Sequence, residues 1–239
     1  MNDIGTIRLE TERLILRRFE KSDAKEIFEG FVNQKEFLYY TNKKPVSLAE
    51  EKVSLENIEE KYQYNNYYNW LITLKNTKQV IGAVNLNVNL KNDSVMFNYA
   101  IDNRFTKKGY MTEALMCVKN FAFSEMKVNR FEGGCVVKNF PSKRVMEKCG
   151  LKQEGVLKSY VKLFDGYHDM VMFAEINNKF WFREIKKCCH KIKQQEVKMV
   201  RYLNWSQNQR KIIKKGFWMY TANKQKICAK IRRFFVIIK

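Results

Sequence analysis

Between Phe105 and Thr112 the chain reads Phe-Thr-Lys-Lys-Gly-Tyr-Met-Thr, and helical spacing follows at Met111, Leu115, Val118 and Ala122. A strand that feeds a turn at a helix N-terminus makes an anion site. The first amides of a helix have no carbonyl partner, and its dipole favours negative charge. Lys107 and Lys108 suit a polyphosphate, with the N–H groups of Lys108, Gly109, Tyr110, Met111 and Thr112 as the cradle. Ser142 falls in the first turn of a second, shorter helix, where a hydroxyl ordinarily satisfies backbone N–H groups. His168 beside Asp169 does not make a dyad, because adjacent strand residues point to opposite faces. The six cysteines are scattered, without a C-x-x-C pair, and there are two histidines, so a structural zinc site is not expected. Free thiols in a reducing, cytoplasmic setting fit this usage.

The elements that must position these groups follow from periodicity. Residues 6–19 alternate as a strand, with Leu14 and Leu16 on one face. Ser22 and Asp23 can cap a helix over 22–34, and Ser47-Leu48-Ala49-Glu50 is a capping box opening a helix toward Tyr64. The aromatic cluster Tyr62, Tyr64, Tyr67, Tyr68 and Trp70 is either packing at a helix–strand junction or one wall of a pocket. Residues 70–74 and 80–87 form a hairpin around Asn76-Thr77-Lys78, and 95–102 is the next strand. The long helix spans 110–126 and another strand 131–137. Pro141 sits at the start of the short helix, which Gly150 ends. Two last strands, 151–163 and 168–176, flank Asp165-Gly166. This order argues for a mixed α/β layer with helices on both faces of the sheet.

Charge divides the chain. Its 239 residues carry a net charge of +20. Residues 179–239 hold 18 Lys and Arg against two acids, so residues 1–178 are nearly balanced. The body is expected to be one domain, 1–178, with a basic extension over 179–239. Trp181, Ile185, Cys188, Ile192 and Met199 keep helical spacing among lysines, as do Ile227, Ile231, Phe234 and Ile238. A basic amphipathic helix suits nucleic acid or an anionic membrane. The alternative is an extension packed on the domain, or on a second copy of it in a homodimer. The first ten residues contain no signal core, and no run of about 18 apolar residues exists.

The order and lettering of these pieces resemble the acetyl-coenzyme A-binding core of the GNAT superfamily. They are most similar to its branch of ribosomal-protein-alanine N-acetyltransferases. That branch reads G-Y, then G-x-G-Y-A-T-E-A, then N-x-x-S-x-R-V-x-E-K-x-G-F-x-x-E-G. The matches here are Tyr99, Gly109, Tyr110, Thr112, Glu113 and Ala114, then Asn139, Ser142, Arg144, Val145, Glu147, Lys148, Gly150, Glu154 and Gly155. The first strand, Leu9-Glu10-Thr11-Glu12-Arg13-Leu14-Ile15-Leu16-Arg17, is similar as well. The resemblance covers about residues 7–177.

It implies a GNAT-type acyl-CoA N-acyltransferase fold, with a twisted mixed sheet splayed near its centre. It also implies transfer of the acetyl group of acetyl-CoA to a primary amine on a protein N-terminus, a polyamine or a small molecule. The cofactor would lie along Tyr99, Ala100 and Ile101, in the turn from Thr106 to Thr112, and against Asn139, Ser142 and Lys148. Arg144 and Lys148 either pair with the adenosine phosphate or flank the short helix. Ser142 would protonate the leaving thiolate, because the tyrosine common in other members falls at Met146. The turn departs from the pattern at Thr106, at Lys107 (usually Gly) and at Met111 (usually small), so weaker cofactor affinity is expected. The base is open: Met96 stands where a glutamate is common. Glu10, Glu12, Asp102, Glu113, Asp169 or a water relay remain. A GNAT-fold binding protein with impaired catalysis is the rival reading.

Overall fold

The computed structural model describes residues 1–177. In chain order its elements are β1 (Leu9–Glu10), β2 (Leu14–Arg17), α1 (Ala24–Glu29), α2 (Lys35–Thr41) and α3 (Leu48–Lys61). Next come β3 (Tyr68–Leu74), β4 (Val80–Asn89), β5 (Ser94–Ile101), α4 (Tyr110–Ser124) and β6 (Arg130–Val136). α5 (Phe140–Lys148), β7 (Lys152–Leu163) and β8 (Gly166–Ile176) complete the set. The basic extension over 179–239 lies outside the described residues.

The strands form one sheet in the order β1-β2-β3-β4-β5-β6-β8-β7. Its strand period of two sorts the core into two layers. Leu14, Leu16, Trp70, Ile72 and Val84 meet Leu115, Val118 and Phe121 of α4 on one face. Leu71 and Val80 meet Ile27 of α1, Leu55 of α3, and Phe19 and Phe31 from the segments flanking α1, on the other. The helices therefore cover both faces, as the alternation of elements predicts. Tyr68 and Trp70 are buried at 1% and 0% exposure, and the Tyr62 hydroxyl bridges Phe19 N and Asn69 O, so these three pack at the junction, whereas Tyr64 is exposed.

All neighbouring strands pair antiparallel except β5 and β6, which run parallel with α4 as the crossover between them. Their register covers only Ser94–Met96 against Arg130–Glu132. Beyond it the two strands part, which is the splay that the resemblance implies. Gly133 opens it: a β-carbon there would stand 2.4 Å from the Phe97 ring, which occupies that space. Phe97 in turn stacks between Phe131 and Tyr99, with centroids at 4.8 and 6.1 Å.

Two expected elements are different. Residues 6–19 are not one strand: the chain turns back after Glu10, and β1 pairs antiparallel with β2, Leu9 opposite Leu16. Residues 22–34 do not form a single helix: a 3-10 turn at Lys21–Asp23 leads into α1, which stops at Glu29, and α2 is separate. The Asp23 carboxylate is taken by Arg17 at 2.6 Å and by the amide of Glu20 at 2.8 Å, so it does not cap α1. At Gly30 a β-carbon would lie 2.8 Å from Glu26 O, and the chain leaves the helix there. The Ser47–Glu50 capping box forms as expected.

Candidate active site

The gap between β5 and β6 exposes main-chain groups of β5. Asp102 N donates to Ile81 O at 2.8 Å, so Asp102 and Ile81 are a hydrogen-bonded pair in register with Ile101 opposite Gly82. Bonding alternates along an antiparallel ladder. The amides and carbonyls of Tyr99 and Ile101 therefore turn away from β4, toward the gap, whereas those of Ala100 belong to the β4 ladder. The gap is a slot for an extended chain with amide groups of its own.

At the end of β5 the chain passes through a 3-10 turn (Asn103–Phe105) and into α4. Gly109 is the N-cap of α4 with φ +82°, a conformation glycine adopts without a steric penalty. Glu113 N is the first to bond back, to Gly109 O. The amides of Tyr110, Met111 and Thr112 thus begin the helix without intrahelical partners. Thr106 folds back on Asn103, while Lys107 and Lys108 are exposed beside the turn. The Met111 side chain is 4% exposed and packs into the core beneath α4, away from the anion notch. A cleft of ≈ 410 Å³ opens here, lined by Glu12, Gly109, Thr112, Glu113, Met116 and Lys148. It joins the start of α4 to the end of α5. Arg144 is exposed on α5.

A clamp from the link between β1 and β2 fixes this turn. Arg13 donates to Lys108 O at 3.1 Å and to Glu113 Oε2 at 2.7 Å, and its guanidinium lies 4.5 Å over the Tyr110 ring. Glu113 Oε1 also accepts from the Thr11 hydroxyl at 2.5 Å and from Arg13 N at 3.0 Å. Partial burial acts to raise the Glu113 carboxyl, but Thr11 and Arg13 carry it below the usual glutamate range. The carboxylate at the mouth of the anion site is thereby matched by a guanidinium.

On the far side of the gap, Asn139 caps α5: its Oδ1 accepts from Ser142 N at 3.2 Å. Ser142 lies in the first turn of that helix, where the dipole favours a developing thiolate. Its Oγ stands 2.7 Å from the Tyr99 Oη, with either oxygen able to donate, and Ser142 O at 3.2 Å is a second acceptor for the single phenol proton. Burial pushes the Tyr99 phenol well above its ordinary value, so it stays protonated. Met146 is fully buried. Cys135 packs beside the pair, its Sγ 3.7 Å from Asn139 O, and burial raises its thiol.

Four of the five candidate carboxylates, Glu10, Asp102, Glu113 and Asp169, are engaged. Glu10 pairs with Arg8 and Lys75. Burial acts to raise Asp102, yet Arg104 and Gln34 bond it and hold it low. Lys158 and Ser159 N take Asp169, lowering it. His168 meets Asp165 at 2.7 Å, not Asp169, and Tyr39 donates to the same Asp165. Glu12 is exposed on the cleft. Among the described residues, no group of three or more His, Cys, Asp or Glu is placed to hold a metal.

Sequence reasoning missed Arg13, Thr11 and the hydroxyl end of Tyr99. Thr11 and Arg13 were legible only as a strand motif, since their partner Glu113 is 100 or more residues away.

Comparison with known proteins agrees with this geometry. Residues 13–152 match the family described as "Acetyltransferase (GNAT) domain". The chain is 28% identical over 159 residues to "Probable N-acetyltransferase YjcK" of Bacillus subtilis, covering 66% of this chain and 84% of that one. Its fold is similar to the ribosomal-protein-S5-alanine acetyltransferase of Vibrio fischeri, with TM-score 0.65, 21% identity, and 73% and 98% of the two chains covered. It is also similar to RimL, a ribosomal L7/L12 α-N-protein acetyltransferase solved with coenzyme A, with TM-score 0.61, 20% identity, and 71% and 98% covered. More than half of the chain lies within the family match, and the chain belongs to the GNAT family of acetyltransferases.

Proposed function

We propose that the chain transfers the acetyl group of acetyl-CoA to a primary amine. The observation that carries this is one continuous path. Unpaired helix amides at Gly109 suit a diphosphate, the free edge of β5 suits an amide-bearing arm, and Ser142 stands at the end where the thioester would lie. RimL, solved with coenzyme A, shares the fold that builds such a path.

In this reading the N–H groups of Tyr99 and Ile101 bond the arm and polarise the thioester carbonyl. The neutral amine attacks, the carbon–sulfur bond breaks, and Ser142 with the α5 N-terminus receives the sulfur. Lys148, on the cleft, faces the nucleotide end. The base is solvent, the acceptor's own equilibrium or Glu12, which is exposed on the cleft, because Glu10, Asp102, Glu113 and Asp169 are held by cations and hydrogen bonds. Turnover should then rise with pH until the acceptor amine's own pKa, and move when an acceptor of different basicity is used. A fixed limb for all acceptors would instead name an enzyme group.

The acceptor is a protein N-terminus, a polyamine or a small amine. Thiol release from acetyl-CoA across a panel of the three tests the class. The same engaged carboxylates favour a second reading, a GNAT-fold binder with weakened catalysis. Cofactor binding without thiol release for any acceptor would establish that reading and end the first.

A further inference from the structure

We propose that Tyr99 is the positioning residue that aims the Ser142 hydroxyl at the departing sulfur. The proposal rests on Ser142 facing the thioester, as above. A serine hydroxyl has one proton and two lone pairs. Tyr99 Oη has one proton and two acceptors on Ser142, Oγ at 2.7 Å and the carbonyl O at 3.2 Å. With the proton on the shorter contact the serine proton turns away from the phenol, and in this proposal it turns to the sulfur in the gap and not to the neighbouring Cys135.

Both ends of this pair are fixed independently. Ser142 is held by the Asn139 cap on its amide. Tyr99 is held by the β5 ladder and by its stack on Phe97, 11° from coplanar. The titratable groups facing the phenol are the Cys135 and Cys149 thiols. Burial raises both thiols, Cys149 to about 11, so neither withdraws the phenol's proton near neutrality. Met146, buried in the core, offers no proton. The phenol therefore supplies a donor where the short helix has none.

The step balances without an outside reagent. As the carbon–sulfur bond breaks, its electron pair goes to sulfur, which takes the Ser142 proton. The attacking nitrogen loses one proton as the amide forms, and that proton restores Ser142. Tyr99 remains protonated and steadies the charge that builds on Oγ.

The test compares Tyr99→Phe, Ser142→Ala and the double variant, each first checked for a native thermal transition. Tyr99→Phe is expected to lower kcat about tenfold, with KM for acetyl-CoA unchanged. The double variant should be no slower than Ser142→Ala, and Ser142→Thr should recover part of the rate. Wild-type kcat in Tyr99→Phe, or losses that multiply in the double variant, would overturn the role of Tyr99. Unchanged kcat in Ser142→Ala would overturn the Ser142 reading instead. Should Tyr99→Phe not fold, a fluorinated tyrosine at 99 keeps the shape and strengthens the donor. Faster turnover supports the proposal, and an unchanged rate contradicts it.

Discussion

Lys107 holds φ at +61°, a left-handed conformation that a side chain with a β-carbon occupies at a cost. The cost is about 1 kcal/mol, and it falls where the family pattern has glycine. Lys107→Gly is therefore expected to raise the melting temperature by about 2–4 °C and to leave coenzyme A affinity at least as high, read by calorimetric titration. A lower melting temperature would mean that the lysine charge outweighs the strain. Arg13→Ala should raise KM for acetyl-CoA about tenfold with little change in kcat, because the clamp shapes the anion turn and not the thioester end. Equal loss in both constants would contradict that division.

Glu113 carries a pH dependence with a definite sign. Its folded carboxyl lies below the usual range, so its contribution is full above that range and is lost as pH falls through and beneath it. Glu113→Gln should lower stability near neutrality and flatten the acid side of the melting-temperature profile. An acid limb as steep as that of the unchanged protein would sink this assignment. The helix starts at Gly109 and Asn139 were legible because each lies inside a local motif. The Arg13–Glu113 clamp was not, because strand register alone brings the two together across the chain.

At the scale of elements, the gap depends on two residues that trade space. The Phe97 ring fills what would be the side-chain position of Gly133, and the strands part just beyond. Gly133→Ala should destabilise by about 1–3 kcal/mol through overpacking, and adding Phe97→Leu should recover part of it, measured by denaturant unfolding. Additive losses would mean that the two sites do not share this space. Helix ends with their own chemistry, such as Ser47–Glu50 and Asn139–Pro141, were readable in advance. The break after α1 was not. Asp23 looks like a cap in sequence, but Arg17 competes for its carboxylate, and only the fold brings Arg17 there.

Among the described residues, one parallel pairing in an otherwise antiparallel sheet opens the candidate site, with the starts of α4 and α5 on its two sides. Strand and helix order made this architecture legible, while the gap itself came from the resemblance and not from periodicity. The basic residues 179–239 stand outside the family match, and we propose that they serve anion binding separately from catalysis. The full chain should bind polyanions in a steeply salt-dependent way, and a chain ending at residue 178 should lose that binding and keep acetyl transfer.

The most direct test of the central claim is a crystal structure with coenzyme A bound. Diphosphate oxygens are expected within about 3.2 Å of the amides of Tyr110, Met111 and Thr112, and the sulfur in the gap beside Ser142. Diphosphate bound away from those amides, or a gap left empty with coenzyme A elsewhere, would contradict it.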